Sequence, residues 1–274
     1  MGNFSFPNRR LAMGDRSKIE WTDATWNPTT GCTKVSAGCD NCYAQTLATG
    51  RLARIYLGRT PQVETEENAI DPFAVRLWPE RLAQPEKWAE PRMVFVNSMS
   101  DLFHVDVPEP FLRQIFQVML TVDRHVYQVL TKRPSRALRF FNRNRDLFPD
   151  GLVPEHIWIG TSVENSEVEY RIAQLRAVPA RVRFLSCEPL LGPLDGMDLR
   201  GIHWVIVGGE SGIGHRPLEL SWVRGIRDQC GRAGVPFFFK QVGGRTPKAG
   251  GRLLDGRTWD GMPSAPSEEA AAAD

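Results

Sequence analysis

The chain lacks any apolar run that approaches the ~18–20 residues needed to span a bilayer. Its opening, MGNFSFPNRRLAMGDRSK, carries charge but no apolar centre, which excludes a secretory signal. Phe6 stands where a myristoylation site requires Ser or Thr. A one-sided charge is missing too: 34 basic against 32 acidic residues give a formal net charge of +2, so no whole-chain field announces a nucleic-acid binder. The reading is a cytoplasmic protein, in which thiols stay reduced. At 274 residues, 42% hydrophobic and 24% charged, the chain has the composition of a globular protein and the length for a substantial core.

Cysteine is scarce as well, five in all, yet three of them crowd into WNPTTGCTKVSAGCDNCYA at residues 26–44. Cys32, Cys39 and Cys42 are spaced C-x6-C-x2-C, and no histidine lies between Trp21 and His104. Reduced, clustered thiols point to metal ligands or catalysts rather than to disulfides. A structural zinc site wants four ligands, and the further candidates (His104, His125, Cys187, Cys230) are all remote in sequence. Three thiolates with one position open suit an iron–sulfur cluster of the 4Fe–4S type, ahead of zinc. Gly31 and Gly38, each directly before a cysteine, let the backbone pass close to such a group.

Downstream, short β-branched and aromatic runs recur: RMVFVNSMSD from residue 92, HVYQVLTKRP from 125, HIWIGTSVEN from 156, RVRFLSCEPL from 181, HWVIVGGESG from 203 and PFFFKQVGG from 236. Such continuous apolar runs are those of parallel strands buried on both faces. Helical patterns at 108–122, 135–148, 165–178 and 219–234 separate several of them. With a first strand near 25–28 there are seven candidates, and strand alternating with helix predicts an α/β protein, a partial or complete TIM-like (β/α) barrel of parallel strands. One domain is expected over 18–262, with an insert at about 58–90, a flexible extension at 1–17 and a disordered tail at 263–274. Met13 is a candidate start. The insert is too long for a simple connection and is expected to cover part of the barrel mouth.

Each apolar run ends in polar side chains: Asn97, Ser98, Ser100 and Asp101; Thr131 and Lys132; Thr161, Ser162 and Glu164; Ser186 and Glu188; Glu210 and Ser211; Lys240 and Gln241. A lone Ser or Asp there is commonly a turn or cap. Six such ends in one register suggest a ring around the carboxyl-terminal mouth, where (β/α) barrels keep their active sites. Trp21 and Trp26 flank the cysteine loop and are read as its shield. Cys187 and Cys230 read as core thiols. At a strand end, Cys187 is also held as a candidate catalytic hydrogen-atom donor.

The NPTTGC opening and CYA close resemble the cluster loop of radical S-adenosylmethionine (SAM) enzymes related to spore photoproduct lyase. The spacing departs from that superfamily's C-x3-C-x2-C, and Asn41 stands where an aromatic residue commonly precedes the last cysteine. Over residues 18–263, segments such as KIEWTDATWNPTTGC, FVNSMSDLFHVDVP, LTKRP, WIGTSVEN, FLSCEPLLGPL, FFFKQ and GRLLDGRTWDGMP resemble the phage gene-product-37/68-type, or three-Cys-motif, family. The resemblance implies a 4Fe–4S cluster held by Cys32, Cys39 and Cys42, with SAM as the second cofactor and a 5′-deoxyadenosyl radical as the agent. It implies SAM contacts from Lys132, Ser98, Ser100, Glu164 and Glu188, and leaves the GGE at Gly208–Glu210 as a substrate-side or structural turn. An electron donor, a three-Cys-motif partner protein and a bacterial or phage-infected cytosol follow from it.

From Arg124 to Arg145 seven Lys and Arg side chains occur without an acid, and Lys132, Arg136, Arg139 and Arg143 fall at spacings of 4, 3 and 4. Such a run is usually a solvated face. Kinship to a DNA-repair lyase favours nucleic acid or a nucleotide as the substrate. The alternative is a non-catalytic iron–sulfur or zinc protein that binds nucleic acid or a partner protein in phage or defence biology.

Overall fold

The computed structural model describes residue 17 and residues 19–263. The expected extension and tail therefore lie almost wholly outside the described residues, as does Met13. Seven strands form one sheet: β1 (Ala24–Trp26), β4 (Met93–Val96), β5 (Val126–Thr131), β6 (Val153–Ser162), β7 (Ala180–Cys187), β8 (Trp204–Gly208) and β9 (Phe237–Gln241). They pair in that order and every pairing is parallel. Among the described residues the ladder of strands runs from β1 to β9 and does not close back on β1, so the sheet is a curled, partial (β/α) barrel. The two short strands β2 (Thr29–Thr30) and β3 (Arg76–Leu77) make a separate antiparallel ribbon.

Side-chain parity divides the core in two. Met93, Phe95, Trp158, Val182, Phe184, Trp204, Ile206 and Phe238 fill the inner face with Trp21. The alternate residues Val94, Val96, Tyr127, Val129, Ile159, Leu185, Val205, Val207 and Phe239 face the outer layer. Helices α4 (Glu109–Thr121), α5 (Pro134–Arg143), α6 (Tyr170–Arg176) and α7 (Leu220–Ala233) cover that layer. In α4, Phe111, Leu112, Ile115, Phe116 and Met119 recur at helical spacing, and these are its buried face. No helix joins β7 to β8; the connection instead inserts Leu190, Leu194, Met197, Leu199 and Ile202 into the outer core. Gly160 is required on the inner face because a Cβ there would stand 2.4 Å from the Phe184 ring.

The first connection departs most from a plain βα unit. It carries α1 (Tyr43–Thr49), α2 (Ala53–Leu57), α3 (Glu66–Ile70) and the β2–β3 ribbon. The segment at 58–90 touches both ends of the sheet. Phe73 O accepts from Cys32 N at the carboxyl-terminal side. Trp88 O accepts from Arg124 Nε, and Pro85 O bonds His125, at the amino-terminal side. The reason is the continuation past β3, where Trp26 Nε1 donates to Arg81 O and ties the segment to the outer face of β1. The two tryptophans read as shields pack elsewhere. Trp21 meets Phe95 and Trp204 on the inner face, and Trp26 meets Tyr127 under the helices.

Three histidines fasten the amino-terminal side. His125 Nδ1 accepts from Arg92 N at 3.2 Å while its Nε2 donates to Pro85 O at 3.0 Å. His203 Nδ1 accepts from Arg183 N, and His156 Nε2 donates to Met119 O. Burial, before any other influence, lowers the pKa of all three below the ordinary 6.5. The unfolded chain therefore takes up protons that the folded one refuses, so their contribution is complete above pH ~6.5 and is lost as pH falls through it. The thermal midpoint is expected to fall between pH ~7.5 and ~5.5, with a shallower slope in His203→Gln. A slope unchanged by that substitution overturns the assignment.

Candidate active site at the carboxyl-terminal mouth

Residues 32–43 form a strap that travels round the mouth. At its start Gly31, with φ 86°, lies so close to Ala74 that a Cβ would stand 2.2 Å from the Ala74 carbonyl oxygen. Cys32 follows. Beyond β5, Arg133 donates to Cys32 Sγ at 3.4 Å and to Thr33 O at 2.9 Å, while His104 Nε2 lies 2.8 Å from Thr33 Oγ1. Ser36 Oγ donates to Glu164 Oε1 at 2.8 Å, just past β6. Asn41 Nδ2 reaches Glu210 Oε2 at 2.8 Å and Gly214 O at 3.0 Å, past β8. Tyr43 OH then returns to Ser98 O, past β4, at 2.5 Å. The cysteine loop thus spans the mouth.

Two carboxylates receive it. Glu164 is 1% exposed and holds Arg171 at 3.0 Å and Lys132 at 3.3 Å besides Ser36. Gly38 lies against it: a Cβ at that position would be 2.3 Å from Glu164 Oε1. Glu210 accepts from the Arg216 backbone amide and guanidinium as well as from Asn41. Burial pulls the Glu210 carboxyl upward most strongly of any single influence, yet the Arg216 and Asn41 hydrogen bonds together hold it below the usual range. Arg216 also donates to Ala37 O at 2.9 Å, which fastens the strap a second time.

The remaining candidates fall as follows. Ser98 Oγ pairs with Asn27, and Ser100 Oγ lies 2.8 Å from Thr29 Oγ1. Glu188 bonds Lys240 Nζ at 2.9 Å and Ser186 at 3.3 Å; Gly208 leaves room for it, since a Cβ there would be 2.6 Å from Glu188 Oε1. Lys132 Nζ has Glu164 as its ion-pair partner and is partly exposed. Cys187 is the exception in register: Val182 and Phe184 face inward, so Cys187 faces outward, fully buried in the helix-covered core. Burial, with the charge of Cys230 adding to it, pushes its thiol well up. The structure turns it away from the mouth. The basic residues spaced at 4, 3 and 4 would share one helix face only if the helix began before Lys132, and α5 begins at Pro134, which leaves Lys132 outside it. Arg136 folds back to Val107 O and Arg143 lies 3.8 Å from Glu109.

Cys32, Cys39 and Cys42 are all half-buried on the strap. The Cys32 thiol is pushed up to about 11, first by burial and then by Asp101, against the pull of Arg133. Among the described residues no three His, Cys, Asp or Glu side chains are close enough to share one metal ion. A cluster that offers each thiolate its own metal asks for no such convergence. Soft donors, with the Arg133 guanidinium against Cys32 Sγ, fit a sulfur-ligated cluster.

The pattern in sequence missed the second layer. Asp101, 6% exposed, accepts from Thr131 Oγ1 at 2.7 Å, from the Lys132 amide at 2.9 Å and from Arg133 at 2.9 Å, which aims Arg133 at Cys32. The signal was present in LTKRP and NSMSD, but nothing local joins them.

Set beside known families, the matched segment covers residues 16–263. The chain belongs to the protein family of unknown function DUF5131. No curated protein matches it. Among solved structures it is similar to a cysteine-to-serine mutant of spore photoproduct lyase, with 17% identity over 96% of this chain and 74% of that one and a TM-score of 0.45. Spore photoproduct lyase complexed with dinucleoside spore photoproduct gives 15% identity, coverage of 94% and 75%, and a TM-score of 0.44. A double mutant with bound AdoMet and that dinucleoside gives 15%, coverage of 94% and 72%, and 0.46. Among the described residues no helix is long and apolar enough to cross a membrane.

Removing Arg171 leaves Glu164 buried with one cation fewer, and breaking a buried pair in this way costs about 3–5 kcal/mol. Arg171→Leu is expected to lower stability by that amount in denaturant titration, whereas Arg143→Leu, on an exposed pair, should change it by under about 1 kcal/mol. Equal effects contradict the structural role given to Glu164.

Proposed function

We propose that this protein is a radical SAM-type iron–sulfur enzyme of the cytoplasm that acts on nucleic acid or a nucleotide. The observation that carries the proposal is the strap itself: three cysteines suspended over the polar mouth of a parallel half-barrel, at the end where such folds do chemistry. Cys32, Cys39 and Cys42 would hold a 4Fe–4S cluster, which with SAM supplies one-electron chemistry when bound.

The chain's own residues supply placement. Lys132 gives one contact to Glu164, and an ammonium has three donors, so it retains capacity for an anionic ligand carboxylate. Ser98 and Ser100 donate their hydroxyl hydrogens to Asn27 Oδ1 and Thr29 O, so either would reach a ligand only by giving up that bond. Glu164 has its oxygens occupied by Ser36, Lys132 and Arg171, so its part is to hold the strap rather than to bind ribose. Glu188, shared with Lys240, remains the carboxylate for a ligand amine or hydroxyl. Of the basic stretch from Arg124 to Arg145, Lys132 and Arg133 stand at the mouth and are the cations that favour a polyanionic substrate, whereas Arg145, past the far end of α5, does not face it. Within the segment at 58–90, the part around Phe73, which bonds Cys32 at the mouth, is the portion assigned to substrate recognition in this scheme.

Anaerobic reconstitution with iron and sulfide, then dithionite and SAM, is expected to yield 5′-deoxyadenosine, with turnover raised by DNA or RNA. Cys32→Ser, Cys39→Ser and Cys42→Ser should each lose the iron and the product, whereas Cys230→Ala and Cys187→Ser keep the iron. Iron binding without SAM cleavage would select the non-catalytic alternative. Zinc bound in place of iron would reject the cluster.

A further inference from the structure

The strap is the least self-supporting part of the site. Between Cys32 and Tyr43 it has one short 3-10 turn, Ala37–Cys39, and most of its residues are exposed or half-buried. A segment of that kind has little reason to hold one shape by its own interactions. Yet it is fixed on opposite sides by carboxylates from two different strand ends. Glu164, from the end of β6, is locked by Arg171 and Lys132 and turns one oxygen to Ser36. Glu210, from the end of β8, is locked by Arg216 and turns an oxygen to Asn41. Gly38 lets the strap settle directly on Glu164. Both anchors fall between Cys32 and Cys42, one on each side of Cys39.

We infer that Glu164 and Glu210 are positioning residues that hold Cys39 and Cys42 in place before any metal is bound. Each carboxylate is buried to within a few per cent and already oriented by an arginine, so it presents a fixed acceptor to a mobile donor. The free strap would sample many conformations, and assembling a multi-thiolate site from it would pay that entropy at the moment of loading. These two charge-assisted hydrogen bonds, beside the contact of Arg216 with Ala37 O, remove part of that cost in advance.

The test uses the full chain without metal or SAM, so it is independent of whether SAM is cleaved, although the role inferred rests on the cysteines being the ligands proposed above. Site-resolved labelling by N-ethylmaleimide, read by mass spectrometry, gives a rate for each thiol. In the Ser36→Ala, Glu210→Gln double variant, Cys39 and Cys42 are expected to label about tenfold faster than in the parent, while buried Cys187 and Cys230 stay unlabelled. Ser36→Thr, which keeps the hydroxyl, should restore the slow rate at Cys39 where Ser36→Ala does not. Parent-like rates at Cys39 and Cys42 in a double variant with protected Cys230 overturn the inference. If Cys230 becomes reactive, the double variant has unfolded, and Ser36→Ala alone decides, since it removes one hydroxyl and leaves every charge in place.

Discussion

A sheet of parallel strands has no wet face. With Trp204, Phe184 and Phe95 packed on one side and Val205, Leu185 and Val94 on the other, every backbone amide inside must be answered by a neighbouring strand. Polar side chains are thereby driven to the strand ends. The organisation of the mouth follows: Asn97, Glu164, Glu188 and Glu210 sit just past the ends of their strands and Lys240 one residue before the end of β9, with Gln128 in mid-β5 the buried exception.

Strand ends alone do not hold charges in fixed positions; pairing does. At this mouth the acids and bases come in sets: Asp101 with Arg133, Glu164 with Lys132 and Glu188 with Lys240 cross between connections, while Glu164 with Arg171 and Glu210 with Arg216 stay within one. Each carboxylate is more deeply buried than the cation that reaches the strap or the opening, so the rigid partner is the acid and the adaptable one the base. The cysteines inherit their placement from this frame at one remove.

How much of this was legible in the sequence depends on range. The seven strands were visible because two-sided burial writes itself as an unbroken apolar run, and α4 because Phe111, Ile115 and Met119 repeat at helical spacing. The connection after β7 carries no helix, and the sequence pattern offered none. Parity along β7 would have settled Cys187: once Phe184 faces inward, Ser186 follows and Cys187 turns away. The pairs Ser36–Glu164 and Asn41–Glu210 were out of reach, because they are separated by 128 and 169 residues and depend on which strand ends meet across the mouth. The helix start at Pro134 likewise excluded Lys132 from a row that spacing alone had assembled.

The far edge of the sheet is finished by late-coming chain. Phe239 N donates to Trp259 O, Gly261 N to Phe237 O, and the Trp204 indole to Gly261 O. Strand β9 therefore keeps one open side until residues 259–261 arrive, and those residues leave the ribosome after all seven strands. During synthesis the nascent protein carries a complete set of strands with a bare, phenylalanine-rich border, the kind of surface that invites chaperones or wrong neighbours. The last few residues of the described chain act as a closing stitch, and until they arrive the Phe237–Phe239 border lacks its final hydrogen-bond partners.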